Sequence, residues 1–388
     1  MYKVAISVGG RFHAFHLASE LFRTGNLSQL LTSYPKSFVR SCGIPPQYVD
    51  SLLAKEFIQR VWTRIPFLTN IYNPQVYLCD LFENFATHYL RPSDIFVGWA
   101  SFSLKPLRKA KLYGARTIIE RGSTHIVYQQ NILREEYQRF GIQKNPPQNF
   151  QKLIDKELAE YSEADYISVP SLFAKKTFRD HGIPDRKIIH VPYGVDLSSF
   201  QKNSKSDSVF RIIFAGGICI RKGVHYLLKA YSELNLPNSE LWLIGSVDEE
   251  IKPFLKKYAG SYRLIGKVPQ RELHWYYSQG SVFCILSIEE GLALVQAQAM
   301  ACGLPVISTP NTGAEDIIRD GQDGFIVSIR DVEAVKEKLC YLYENSERCR
   351  MMGESAYNHI ASKYSWEKYG DTIRRVYGNI IQNTNADG

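Results

Sequence analysis

Short runs of consecutive apolar residues alternate along the chain with longer amphipathic ones. In the first half the apolar runs are KVAIS (3–7), DIFVGW (94–99), RTIIE (116–120), YISV (166–169) and KIIHV (187–191). In the second half they are FRIIFA (210–215), ELWLIG (240–245), SVFCILS (281–287), PVIST (305–309) and GFIVS (324–328). Near-continuous apolar strands are those buried on both faces, as in parallel sheets covered by helices. Between them lie stretches of helical spacing, such as GVHYLLKAYSEL (223–234) and VEAVKEKLCYLYEN (332–345). The alternation stops at DLSSFQKNSKSDSV (196–209), which is polar, serine-rich and without an apolar period, and then restarts. The pattern predicts an α/β chain with two Rossmann-like, doubly wound parallel-sheet domains, 1–197 and 208–365, facing a cleft. The last helical run, 366–385, has one apolar side that fits either domain, including a return onto the first.

One stretch needs a separate reading. Over 51–68, Leu53, Phe57, Val61 and Ile65 share a helical face with Ile58 and Trp62 beside them, while Glu56, Arg60 and Arg64 share another. The expectation is an apolar stripe packed on the protein's own sheet. A basic amphipathic helix lying on an anionic membrane surface is the second reading.

Charge sharpens the picture. All of the formal excess of +8 falls within residues 1–200, and the remainder is balanced. This suits an acidic partner for the first half, or solubility alone. Seven cysteines, an odd number with no CxxC spacing, suit free thiols in a reducing cytosol better than a disulfide framework or a zinc site. The apolar run at the amino terminus is too short for a signal peptide. The longest stretch without Asp, Glu, Lys or Arg, 291–314, holds Gln296, Gln298, Pro305, Pro310 and Asn311, which argues against a membrane span. The expected location is cytoplasmic, with association at the cytoplasmic face of a membrane left open.

Open parallel sheets bind ligands beyond the carboxyl ends of their strands, and three stretches sit at such ends. In FAGGICIRKGV (214–224) a strand ends in Gly216-Gly217, and Arg221-Lys222 stand where a helix opens, a place for phosphate. In SIEEGLALVQAQAM (287–300) a strand ends in acids and a helix begins near Ala293. The amides of Leu294 and Val295 are then open to a diphosphate. Glu290 either caps that helix or accepts sugar hydroxyls. Gln298 lies deeper, among small apolar residues, and needs a partner from protein, water or ligand. In SVGGRFHAFHLASEL (7–21) the Gly9-Gly10 pair serves either a nucleotide loop or a tight strand–helix turn, with no third glycine of the dinucleotide fingerprint.

As an ordered set, GGICIRKGVHYLLKAY, LWLIGS and SIEEGLALVQAQAMACGLPVISTPNTGAEDIIRDGQDGFIV resemble the retaining GT-B-type glycosyltransferases of family four (glycosyl transferases group 1). SVPS (168–171), VPYGVDLSSF (191–200) and SWEKY (365–369) add to the resemblance, which covers residues 160–380 well and the first 150 weakly. It implies a hexosyltransferase that uses a nucleotide-diphosphate sugar, a UDP- or GDP-sugar, and a glycan or lipid-linked acceptor in envelope or exopolysaccharide synthesis. Arg221 and Lys222 would neutralise the diphosphate and Glu290 would hold the sugar ring. Gly216, Gly217, Gly291, Leu294 and Val295 would line the donor. Gln298 stands where the family places an acid on the ribose, and Gly245 and Val268 would cradle the base. On the acceptor side stand Gly9, Gly10 and the ERGSTH segment, with Arg121, Ser123 and a histidine, His125, near the reacting sugar. The chain has no D-x-D, so no metal and no cofactor are expected, nor is a nucleic-acid partner. A nucleotide-sugar-binding protein of weakened activity, motivated by Gln298, and a sugar epimerase are the rival readings. A nicotinamide oxidoreductase is disfavoured because GxGxxG and a ribose acid are missing.

Overall fold

The structure, a computed structural model, describes residues 2–62, 74–143 and 149–386. Two parallel sheets form two domains. The first comprises β1 (Val4–Val8), β2 (Leu27–Thr32), β3 (Val49–Ser51), β4 (Ile95–Trp99), β5 (Arg116–Glu120), β6 (Tyr166–Val169) and β7 (Ile188–His190), in the order β3-β2-β1-β4-β5-β6-β7. The second comprises β8 (Phe210–Ala215), β9 (Ser239–Ile244), β10 (Arg263–Gly266), β11 (Val282–Ile285), β12 (Val306–Ser308) and β13 (Gly324–Ile326), in the order β10-β9-β8-β11-β12-β13. Both orders reverse direction once, between β1 and β4 and between β8 and β11. Doubly wound sheets open a ligand crevice beside such a reversal. Helices cover both faces, so central residues such as Ile6, Val97, Ile212 and Phe283 are fully buried.

All ten apolar runs are strands. Three further strands lie outside them: β2, β3 and β10. β2 is interrupted in sequence by Ser28 and Gln29, β3 is three residues long, and β10 is an edge strand whose side chains stay largely in solvent.

The polar stretch 196–209 joins the domains without helix or regular strand. The chain crosses back at Tyr364–Ser365, where the Val195 amide donates to the Tyr364 carbonyl (2.7 Å). The helix Trp366–Ala386 then packs on the helix Ala14–Arg23 of the first domain and buries Tyr369, Ile373, Tyr377 and Ile380.

The helix Leu53–Trp62 corrects the core expectation for 51–68. Phe57 is 70% exposed, and Leu53, Ile58 and Val61 also face solvent. The buried member is Lys55, whose Nζ donates to the Gly9 carbonyl (2.6 Å) and pairs with Glu56 (2.9 Å). A buried ammonium needs such partners, and satisfying them turns the polar side inward. Arg64 and Ile65 lie outside the described residues.

Candidate active site

β8 runs into Gly216-Gly217, and a 3-10 turn, Ile220–Lys222, follows. Gly223 closes that turn in the left-handed region (φ +67°), where a Cβ would come 1.9 Å from the Leu286 carbonyl oxygen. This close approach sets Arg221 and Lys222 against the acids that follow β11. Lys222 Nζ pairs with Glu290 Oε2. Arg221 Nη1 lies 3.3 Å from Glu290 Oε2, 3.3 Å from the Glu289 carbonyl and 3.5 Å from Glu289 Oε2. Burial opposes the charge on Arg221, but Glu290 and Glu289 outweigh it and raise its pKa above the usual value. A third of the Arg221 side chain stays exposed.

Glu289, absent from the sequence-derived set, is fully buried and ties the domains together. Its Oε1 accepts the Ser123 and Thr124 hydroxyls (2.6 Å each), and its Oε2 accepts the Gln129 amide (2.8 Å). Burial pushes its pKa up, but Arg221 and these donors reverse that and hold it below the carboxylate norm. Gly291 lies on the same seam. A Cβ there would be 2.2 Å from the Gly122 carbonyl oxygen, and the Gly291 carbonyl itself accepts the Ser171 hydroxyl (2.6 Å).

The helix Leu294–Ala301 starts without a side-chain cap, and the Ala293 amide goes to the Thr312 carbonyl (3.0 Å). Leu294 and Val295 are half-buried. The two glutamines of this helix have different roles. Gln296 is structural: its Oε1 accepts from Ser308 (2.6 Å) and Thr312 (3.0 Å), and its amide donates to the Thr312 carbonyl (3.1 Å). Gln298 lines an interdomain pocket of about 620 Å³ together with Leu294, Arg271, Arg11, His13 and His16. Its side-chain oxygen accepts one hydrogen bond among the described residues, from the Tyr277 hydroxyl at 3.4 Å. Gly245 follows β9, and its amide donates to the Gly266 carbonyl (2.9 Å). Val268 is half-buried against the hydrophobic core, whereas Gln270 and Arg271, just beyond it, reach the pocket wall.

The ERGSTH segment is placed differently from expectation. His125 is buried, caps its own helix by accepting the Val127 amide (3.3 Å), and stacks on His181 at 4.3 Å, facing the first domain's core rather than the cleft. Arg121 is an ion-pair residue, 3.1 Å from Glu157, with its other donors on the Thr124 carbonyl and Gln129. Ser123 serves the seam rather than an acceptor. Gly9 and Gly10 end β1, and Phe102 packs where a Gly9 side chain would stand. Among the described residues no cluster of three or more metal-binding side chains occurs.

Two Rossmann-like parallel-sheet domains with a pocket of about 620 Å³ between them are the GT-B arrangement. Across 99% of its length the chain superposes on all of a sucrose-phosphate synthase from Thermosynechococcus elongatus (TM-score 0.72, 17% identity). HepE of Anabaena, solved in complex with UDP-glucose, matches 98% of the chain over its own full length (TM-score 0.68, 13% identity). Residues 196–359 match the family model described as glycosyl transferases group 1. An uncharacterized glycosyltransferase of Methanocaldococcus jannaschii is 24% identical over 236 residues, 57% of this chain. The match spans 60% of that relative's length.

Proposed function

We propose that the protein is a retaining glycosyltransferase that moves a hexose from a nucleotide-diphosphate sugar to a glycan or lipid-linked acceptor of the cell envelope or an exopolysaccharide. The observation that carries the reading is the pairing of Arg221 and Lys222 with the acids after β11, four residues ahead of the uncapped helix Leu294–Ala301, within the segment that matches the family model. As the sugar's C1–O bond to the phosphate breaks, negative charge gathers on the leaving diphosphate. Arg221, Lys222 and the helix dipole stabilise that charge. Glu290, held by both cations, is placed to accept ring hydroxyls. The acceptor oxygen bonds to C1 on the face the diphosphate leaves, and the acceptor's proton passes to the departing phosphate oxygen. The charge is met by side chains, so turnover in excess EDTA is expected.

A thermal-shift panel of UDP- and GDP-sugars tests this. A donor at 100 times its Kd stabilises by about 2.7 kcal/mol. Absence of any shift across the panel would remove the reading. Gln298 motivates a second one, a nucleotide-sugar binder of weakened turnover, because an amide lacks the charge of a carboxylate as a ribose acceptor. Donor binding without transfer in the wild type, with transfer gained in Gln298→Glu, would favour it.

The exposed apolar side of Leu53–Trp62 and the basic first half support peripheral contact with anionic membrane. No described helix is long and apolar enough to cross a membrane. Co-sedimentation with phosphatidylglycerol liposomes at low salt tests the contact, and a protein left wholly in the supernatant would exclude it.

A further inference from the structure

Beyond Gly10 the chain enters a loop that ends at His13, the residue before the helix Ala14–Arg23. His13 Nε2 lies 3.3 Å from Oε2 of Glu120, the last residue of β5. Both residues are buried, 6% and 2% exposed. The imidazole is held in place by rings, with Tyr193 at 4.2 Å and Trp99 at 4.9 Å between centroids. Glu120 Oε1, Tyr193 OH and Trp99 Nε1 are all buried without a hydrogen-bond partner among the described residues. His13 nevertheless forms part of the wall of the 620 Å³ pocket, whose second-domain side carries Leu294 and Gln298.

A carboxylate only accepts, so Glu120 selects the imidazole tautomer protonated at Nε2. Nδ1 is then the lone-pair nitrogen, able to accept O–H. A histidine fixed by a carboxylate behind it and opening on a pocket in front is arranged to meet a ligand hydroxyl. We propose that His13, oriented by Glu120, contacts substrate: its Nδ1 accepts a hydrogen bond from a hydroxyl of the carbohydrate that enters the cleft beside the donor. The inference rests on the sugar-transfer reading. His13 aligns the hydroxyl and takes no net proton, since the acceptor's proton leaves with the phosphate. Glu120 is a positioning residue that acts through the ring.

The test uses the full chain labelled with ¹⁵N-histidine, saturated with UDP and titrated with methyl glycosides of glucose, galactose, mannose and N-acetylglucosamine. The expected spectrum shows His13 protonated at Nε2 with an unprotonated Nδ1, whose shift moves with at least one glycoside. Glu120→Gln should weaken that glycoside by about tenfold, as loss of a charged hydrogen-bond partner does. His13→Gln should lower transfer by about 100-fold while UDP affinity stays within about twofold of wild type. An Nδ1–H tautomer, a His13 signal indifferent to all four glycosides, or wild-type transfer by His13→Gln would overturn the proposal. The first two measurements need only wild-type protein, so a variant that fails to fold leaves the proposal decidable. Failure of UDP to bind the wild type would count against the sugar-transfer reading instead, separately from the tautomer.

Discussion

Glu289→Ala probes the seam most directly. The substitution removes a fully buried carboxylate and leaves the Ser123 and Thr124 hydroxyls and the Gln129 amide without their acceptor. Removing one partner of a buried ion pair costs about 3–5 kcal/mol. Arg221 is one-third exposed and can rehydrate, which moves the expectation to the lower end, about 3 kcal/mol. At about 2–4 °C per kcal/mol for a domain of this size, the midpoint should fall by roughly 6–12 °C. Glu290→Ala is the control. Its side chain is 16% exposed, and its partners among the described residues are the two cations, so it lacks the hydroxyl and amide donors stranded at Glu289. A smaller loss, about 2 kcal/mol or roughly 4–8 °C, between the values for exposed and buried pairs, is expected. Differential scanning fluorimetry and urea unfolding of the full chain measure both. The sign with pH follows from the depressed pKa of Glu289. Its stabilisation is present above the ordinary carboxylate pKa and is lost as pH falls through the folded value, so the gap between wild type and Glu289→Ala should narrow in acid. If Glu289→Ala melts within 2 °C of wild type, or Glu290→Ala melts lower, Glu289 does not hold the domains together as described.

Three further outcomes follow from the same geometry. Replacing both Arg221 and Lys222 by Ala should weaken UDP by about 100-fold or more, each charged hydrogen bond being worth about 1.5–3 kcal/mol, as read by isothermal titration. Unchanged affinity would place the diphosphate elsewhere. Gly291→Ala puts a Cβ against the Gly122 carbonyl, a backbone contact that cannot yield without opening the seam, so a loss of about 1–3 kcal/mol is expected in urea unfolding. Burial, then His181 and Arg121, lower the His125 pKa to about 4. Between pH 6.5 and 4 the unfolded chain gains a proton that the fold refuses, so up to roughly 3 kcal/mol of stability is lost over that window. Urea midpoints of His125→Gln should therefore fall less steeply than wild type from pH 7 to pH 4.5.

The ten strands legible in sequence are those whose burial on both faces leaves a continuous apolar run. β2 escapes because Gln29 sits within it, buried and bonded to Asp50 (2.7 Å) and the Tyr89 carbonyl (2.9 Å), partners 21 and 60 residues away. The helix over 53–62 was legible as a helix but not in its orientation, because the bond that turns it, Lys55 to Gly9, spans 46 residues. The site divides in the same way. Arg221 and Lys222 stand in one local motif and Glu290 in another 68 residues on; each motif was legible by itself, and the fold brings them together. His125 had the right residue type beside a strand end, yet the turn carried it into the core and its amide to Thr177. The two features that distinguish this cleft, Glu289 on Ser123 and Thr124 and His13 on Glu120, join residues more than 100 positions apart. No window of sequence contains either pair.

The resting cleft is already compensated in charge. Two cations face two acids, and one of those acids also supplies bonds between the domains. A diphosphate entering beside Arg221 competes with Glu289 and Glu290 for the guanidinium, so part of its attraction is offset by the contacts it loosens. Those contacts are unequal. Among the described residues the Glu290 carboxylate is paired with the two cations, whereas Glu289 keeps three first-domain donors whatever Arg221 does. The physical expectation is that Arg221 swings from Glu289 to phosphate without the seam opening, while Glu290, released in part from Lys222, becomes free to accept sugar hydroxyls. Under the proposed sugar-transfer function, binding the diphosphate would thereby prepare the acid that reads the sugar, and nucleotide and sugar recognition would be coupled through one carboxylate, Glu290.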